Sequence, residues 1–269
     1  MASKINHVAI LSERYTEAAR FYQAVFGLKA PTKDRVFNAI TVGDGYVGIN
    51  INPRKPGRPA RLDHFGIEVD DAEETTARLK ERYPEVGVLK RPSNRPFAGL
   101  TTHDPDGNVF DLSQRSMKNR DAIYLDSEKG WEQPRYISHF AIRTLNPEKM
   151  AEFYVDMFGL ALANRKPDDE RWVVSDGRMS VVLVPWKIAD WYGTGIVSAG
   201  PDHIGMKVES LAALKADLDK INSSNPYLES KSLDRHPESR VRREMVAKAG
   251  GGGFQLSDND NILIDVSEV

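Results

Sequence analysis

Apolar and polar residues alternate with period two along HFGIEV (64–69) and HIGMKV (203–208), the pattern of a strand with one buried face. Behind each strand the period becomes helical. Ala72, Thr75, Thr76 and Leu79 follow the first strand, and Leu211, Leu214 and Leu218 the second. Asp71 and Ser210 stand where a helix N-cap belongs. Strand pairs joined by tight turns complete the pattern: NAITVGDGYVGINI, GLTTHDPDGNVFDLS, RWVVSDGRMSVVLV and GFQLSDNDNILIDVS. Their turns fall at Asp44-Gly45, Asp106-Gly107, Asp176-Gly177 and Asp260-Asn261. The order β-α-β-β-β is thus read four times, over approximately residues 1–55, 60–115, 135–186 and 200–269.

The four modules descend from an internal repeat. INHVAILSERYTEAARFYQAVFGL (5–28) recurs as ISHFAIRTLNPEKMAEFYVDMFGL (137–160) at one constant offset without a gap. A chain of 269 residues is long for one compact domain and comfortable for two. The expected division is a first domain at 1–115, a linker at 116–134 and a second domain at 135–269. The linker reads RSMKNRDAIYLDSEKGWEQPR from 115 to 135, is mostly polar, and has Tyr124, Leu125 and Trp131 to pin it to the surface. The fourth module carries the largest insertion, residues 222–253, ending in four glycines (Gly250 to Gly253) compatible with a flexible excursion or a lid.

Composition narrows the chemistry. With no cysteine, disulfides and thiolate metal sites are excluded. A net charge of −2 with both signs mixed speaks against nucleic acid as a partner. The cluster RHPESRVRR (235–243) contains Glu238 and reads as a solvated helix. The N-terminal apolar stretch is too short for a secretory signal, and no run reaches the roughly 20 apolar residues of a membrane helix. The expectation is a cytoplasmic protein with a small-molecule substrate and no membrane partner, and a homodimer is the default assembly.

Four of the six histidines, His7, His64, His139 and His203, open the first strand of the four modules. Aligning the DPDGNVFD (104–111) and DNDNILID (258–265) turns makes Asp111 coincide with Asp265. The same turn alignment places Ile49 and Val181 there in the first and third modules. Each pair of modules then offers two histidines and one carboxylate: His7, His64 and Asp111, and His139, His203 and Asp265. Each carboxylate stands among apolar strand neighbours, where an unpartnered charge is costly. A divalent cation shared with two imidazoles removes that cost. Two neutral histidines and one carboxylate with open positions suit Fe(II), while Mn, Zn, Co and Ni accept the same donors. His103 and His236 have no repeat partner and read as a turn and a surface residue.

The His-initiated strand, the FYxxxFGL helix end and the DPDGNxFDL turn together resemble the vicinal oxygen chelate superfamily across nearly the whole chain. That group includes glyoxalases, bleomycin-resistance proteins and extradiol dioxygenases. The resemblance implies an α+β fold of four βαβββ modules paired into two tandem half-open barrels that cup a divalent metal. Its first-strand ligands fall on His7, His64, His139 and His203, and its last-strand ligand on Asp111 and Asp265. The single-chain, four-module layout is similar to two-domain extradiol dioxygenases. Three departures stand out: the third ligand is Asp where those enzymes typically use Glu, ligand sets occur in both halves where those enzymes usually retain metal only in the second domain, and the His and Tyr they place before the final turn are replaced by AKAGGGGFQLS. The expected function is therefore a metal-dependent dioxygenase acting on a vicinal diol or hydroxy-carbonyl substrate. One alternative is a lyase, isomerase or epimerase of the glyoxalase type. Another is an aromatic-ligand-binding protein with Trp172, Trp186, Trp191 and Tyr192 around the cup.

Overall fold

A computed structural model of the protein describes residues 3–30, 39–91, 99–115, 133–194, 196–233, 239–248 and 251–269. Tyr124, Leu125, Trp131 and His236 lie outside them, as does most of the expected linker. The first module contributes β1 (Lys4–Ser12), α1 (Tyr15–Phe26), β2 (Ile40–Gly43) and β3 (Gly48–Pro53). The second contributes β4 (Arg61–Val69), α2 (Ala72–Arg82), β5 (Leu89–Lys90), β6 (Leu100–His103) and β7 (Val109–Gln114). Then follow β8 (Tyr136–Thr144), α3 (Pro147–Phe158), β9 (Ala161–Leu162), β10 (Trp172–Ser175), β11 (Ser180–Pro185) and α4 (Ile188–Thr194). The last module runs through β12 (Gly200–Val208), α5 (Leu211–Ser224), β13 (Lys231–Ser232), α6 (Ser239–Lys248), β14 (Phe254–Ser257) and β15 (Leu263–Glu268). Among the described residues, the strand after the helix in the first module is a single bridge between Lys29 and Gly43.

Two open sheets result, ordered β2-β3-β1-β4-β7-β6-β5 and β13-β14-β15-β12-β8-β11-β10-β9. At the centre of each, the two His-initiated strands run antiparallel, β1 against β4 and β8 against β12. The fold is the expected α+β arrangement of paired modules in two tandem, non-closed sheets. Local chemistry agrees with the pattern that predicts it. Asp71 Oδ1 accepts the N–H groups of Glu73 and Glu74, and Ser210 Oγ accepts that of Ala213, so both caps form. Such a cap contributes about 1 kcal/mol. The FGL motifs end α1 and α3 with Gly27 and Gly159 in left-handed backbone, at φ 67° and 63°.

One face of each sheet is apolar. Val8, Ile10, Phe65, Ile67, Phe110 and Leu112 of the first sheet join Phe140, Ile142, Ile204, Ile264 and Val266 of the second in a single core shared by both halves. Phe65 and Phe140 meet across it with ring centroids 5.2 Å apart. His7 and Asp111 alternate with these residues and so fall on the opposite face, as Asp265 does in the second half.

The turn aspartates clasp the two halves with pseudo-twofold symmetry. Asp44 Oδ2 accepts the Ile137 N–H and Asp176 Oδ2 accepts the Ile5 N–H, each at 2.8 Å. Likewise Tyr154 donates to Asp104 Oδ2 at 3.0 Å, and Tyr22 to Asp258 Oδ2 at 3.1 Å. The tyrosine of each repeated FY pair is therefore an interdomain tether. In each case the other carboxylate oxygen caps its own turn. These contacts correct the turn alignment. Asp44 and Asp176 match Asp104 and Asp258, but their turns are one residue shorter. The strand register accordingly pairs Ala9 with Asn50 and Ala141 with Val182, where it pairs Gly66 with Asp111 and Gly205 with Asp265. Asn50 and Val182, not Ile49 and Val181, are the counterparts of the two aspartates; Ile49 and Val181 are core residues.

Burial drives the pKa of Asp258 up from 3.8 to about 7, against the hydrogen bonds it accepts from Ile262, Asp260 and Tyr22. Folding thus favours its protonated form. That stabilisation is complete below about pH 4 and is lost as the pH rises past about 7. Denaturant unfolding at a series of pH values should show Asp258→Asn gaining on the native protein between pH 4 and 7. Parallel stability curves for the two proteins contradict this assignment.

Candidate metal centre

Each central histidine follows a β-bulge, and the bulged residue holds its imidazole. Across β1 and β4 the register skips Asn6 on one strand and Asp63 on the other; across β8 and β12 it skips Ser138 and Asp202. In a regular strand, neighbours i−1 and i point to opposite faces, but a bulge re-aims one of them. As a result Asn6 Oδ1 lies 2.8 Å from His7 Nδ1, and Asp63 Oδ2 2.9 Å from His64 Nδ1. Ser138 Oγ lies 3.1 Å from His139 Nδ1, and Asp202 Oδ2 2.6 Å from His203 Nδ1. Asn6 also donates through Nδ2 to Ser113 Oγ, so its Oδ1 is the acceptor and His7 Nδ1 carries the proton. The carboxylates of Asp63 and Asp202 require the same of His64 and His203. With Nδ1 of these three engaged as donor, Nε2 is left to meet the centre of the site, and the Ser138 hydroxyl can accept from His139 Nδ1 in the same way.

Glycines make room for two of the rings. A Cβ on Gly66 would come within 2.0 Å of the His7 ring, and one on Gly205 within 2.0 Å of the His139 ring. The HFG and HIG glycines are thus where one strand's imidazole lies flat on its neighbour. An isolated mid-strand glycine at the same place in two repeats is the sequence signal for this contact. The Asp-His pairs at 63–64 and 202–203 are an equally readable signal, hidden by the ordinary alternation of a strand.

All six residues expected from the sequence assemble as two clusters. The ligand atoms of His7, His64 and Asp111 lie within 4.8 Å of one another, and so do those of His139, His203 and Asp265. His139 Nε2 and His203 Nε2 are 3.1 Å apart. Two neighbouring ligands on one ion, with bonds of about 2.1 Å, stand about 3 Å apart. Donor type, tautomer and spacing therefore fit a divalent cation.

The surroundings of the two clusters differ. In the first, Asp111 accepts from Arg91 Nη2 at 2.7 and 2.9 Å and from Thr101 Oγ1 at 2.6 Å, with His64 Nε2 at 3.2 Å. His7 Nε2 stands 3.9 Å from Asp111. Burial lowers the pKa of His7 to about 3. Burial also opposes the charged form of His64, yet hydrogen bonds to Asp111 and Asp63 carry it up to about 9. In the second cluster, Asp265 receives only neutral donors among the described residues: the Gly252 N–H at 2.8 Å to each oxygen and Gln255 Nε2 at 2.7 Å. Burial, then His203, Arg171 and Lys207, hold His139 well below the usual histidine range. Asp202 is buried, but Arg242, His203 and Arg143 keep it far below the usual carboxylate range.

The insertion in the fourth module serves this second cluster. Gly252, in its glycine run, donates its amide N–H to Asp265. Its helix α6 does not have a wholly solvated basic face either, because Arg242 turns inward and binds Asp202 at 2.7 Å. His139, His203 and Asp265 open onto a cavity of about 440 Å³ walled by Val173, Val182, Val184 and Val246, with Arg171 and Lys207 on its rim. Trp172, Trp186 and Trp191 are absent from its described lining, and the Tyr192 side chain lies outside the described residues. His103 is structural: Nδ1 donates to the Asp104 carbonyl and Nε2 accepts the Gly87 N–H.

Comparison with known proteins agrees with this geometry. The family model of the Glyoxalase/Bleomycin resistance protein/Dioxygenase superfamily matches residues 4–112. That match covers the first sheet, and the whole chain has the fold of the solved structures that follow. The Mn(II)-bound glyoxalase of Novosphingobium aromaticivorans superposes with a TM-score of 0.62 at 13% identity, over 99% of this chain and 82% of its own. A homoprotocatechuate 2,3-dioxygenase of Brevibacterium fuscum, in complex with 3,4-dihydroxyphenylacetate, gives 0.61 at 15%, over 98% and 81%. The 2,3-dioxygenase LapB of Pseudomonas sp. KL28 gives 0.59 at 16%, over 100% and 92%. At such identities the likeness concerns fold, and the reaction must be argued from the site.

Partners that orient a metal-binding histidine typically change metal affinity 10–100-fold when removed. Cobalt(II) titration of Asp202→Asn should show a loss of about that size relative to the native chain. Unchanged affinity in the folded variant contradicts the orienting role.

Proposed function

We propose that this chain is a vicinal oxygen chelate protein and a divalent-metal-dependent enzyme of the extradiol dioxygenase type. Its substrate is a small vicinal diol or hydroxy-carbonyl compound, and its metal is held by His139, His203 and Asp265. The observation that carries this reading is the union of that triad with the 440 Å³ cavity, in the size range of small-molecule sites. The aspartate counterpart in the third module is Val182, which leaves coordination positions facing the cavity without a protein ligand.

A divalent ion there supplies Lewis acidity to two adjacent substrate oxygens, and Fe(II), which this donor set suits, adds reactivity toward dioxygen. The protein's own residues do the rest. The valine walls exclude water and favour a flat apolar ring over a sugar-like diol. Arg171 and Lys207 raise the potential at the rim, which favours the anionic form of a bound diol. Asp202 and Ser138 hold the two imidazoles in place from behind.

A second reading is favoured by one observation: the described lining contains no histidine or tyrosine beyond the two triad imidazoles. That is a poor endowment for acid–base assistance to oxygen chemistry. It favours chelation without oxygen chemistry, as in a lyase, isomerase or epimerase whose proton transfers would run through water or the substrate's own oxygens. A non-catalytic aromatic-binding role draws less support, because the described lining is aliphatic and cationic.

Ferrous-loaded protein should consume oxygen in step with ring-cleavage product from a catechol. His203→Ala should lower the rate by more than about 100-fold. Turnover of a hydroxy-carbonyl substrate under strict anaerobiosis, with no oxygen uptake from any catechol, would establish the second reading instead.

A further inference from the structure

The six ligand positions are duplicated, but the charges around them are not. The register pairs Thr101 with Asp111 in the first half and Gln255 with Asp265 in the second, so these residues are counterparts. The second polar partner differs: a guanidinium in the first half, a backbone amide in the second. Arg91 Nη2 spans both oxygens of Asp111, Thr101 adds a bond to Oδ1, and His64 Nε2 faces Oδ2. A carboxylate offers about four lone-pair sites, and Arg91 and Thr101 engage three of them. Asp265 accepts the bifurcated Gly252 amide and one amide group of Gln255 among the described residues, which leaves Oδ2 with capacity to spare.

We propose that Arg91 is an internal counter-cation that closes the first triad to metal, so that the chain carries one ion where its ligand residues would allow two. Arg91 neutralises the buried charge of Asp111, and this removes the electrostatic reason for a cation to enter. Its guanidinium also stands in direct contact with the atom that a metal would need. Among the described residues, the cations near the second triad hydrogen-bond to groups other than Asp265. Arg171 is bound to Asp169, Lys207 to the Glu268 carbonyl, and Arg143 and Arg242 to Asp202. His7, His64 and Asp111 are thus a latent metal site, retained in outline and held shut by one residue.

This inference rests on the second triad being the working site, and the test separates the two claims. Cobalt(II) is added in excess, unbound ion is removed by desalting, and metal per chain is measured together with the visible cobalt spectrum. The native chain should retain one ion and His203→Ala close to none. Arg91→Ala and Arg91→Gln should each raise the count toward two, and Arg91→Gln keeps a hydrogen-bonding group on Asp111 if alanine impairs folding. In the His203→Ala background the same changes should restore one ion, while Arg91→Lys, which keeps the charge, should not. Two ions in the native chain overturn the proposal whatever the variants do. Loss of the ion in His203→Ala with no gain from either neutral Arg91 variant overturns this proposal alone. An ion that survives His203→Ala and disappears in His64→Ala contradicts both readings.

Discussion

The site depends on four β-bulges. Without them, Asn6, Asp63, Ser138 and Asp202 would point away from the histidines that follow. With them, each histidine carries its own neighbour as a clamp on Nδ1. The clamp decides which nitrogen faces the cleft, and the opposing glycine at 66 or 205 decides how flat the His7 or His139 ring can lie. Two strands crossing antiparallel then bring a pair of Nε2 atoms together at the centre of each sheet. The rest of the fold holds these strands in register. The shared core packs the reverse face, and the turn aspartates lock each half onto the other.

Duplication explains why so much of this architecture could be read without coordinates. The four histidines and two aspartates carry an offset and a spacing that chance placement would not supply, and the structure brings each triad within one coordination distance range. The helix caps at Asp71 and Ser210 and the left-handed glycines after each FY helix are local chemistry, legible in short words of sequence.

What escaped had a different physical origin. A bulge leaves no mark on a period-two pattern, so the alternation does not single out Asp63 or Asp202. The turns at Asp44 and Asp176 are one residue shorter than those at Asp104 and Asp258, and gapless alignment on the Asp-Gly pairs shifted the register onto core residues Ile49 and Val181. Arg91 and Gly252 reach their aspartates from segments where the repeats diverge, so no internal comparison could find them. The FY tyrosines are buried in the core, yet each hydroxyl crosses to the other half of the chain. The divergent segments are also what separates the two clusters chemically: one carboxylate is neutralised by a guanidinium, the other is cradled by neutral amides beside a cavity.

The central claim is that bulged neighbours commit Nδ1 and leave Nε2 to the metal. Histidine-selective nitrogen NMR of the zinc-loaded protein tests it most directly, since zinc is diamagnetic and accepts the same donors. The account predicts that His139 and His203 both keep a proton on Nδ1 and shift at Nε2 when zinc binds. Zinc bound through Nδ1 of either ring, or resonances of both rings unmoved by the metal, would contradict it.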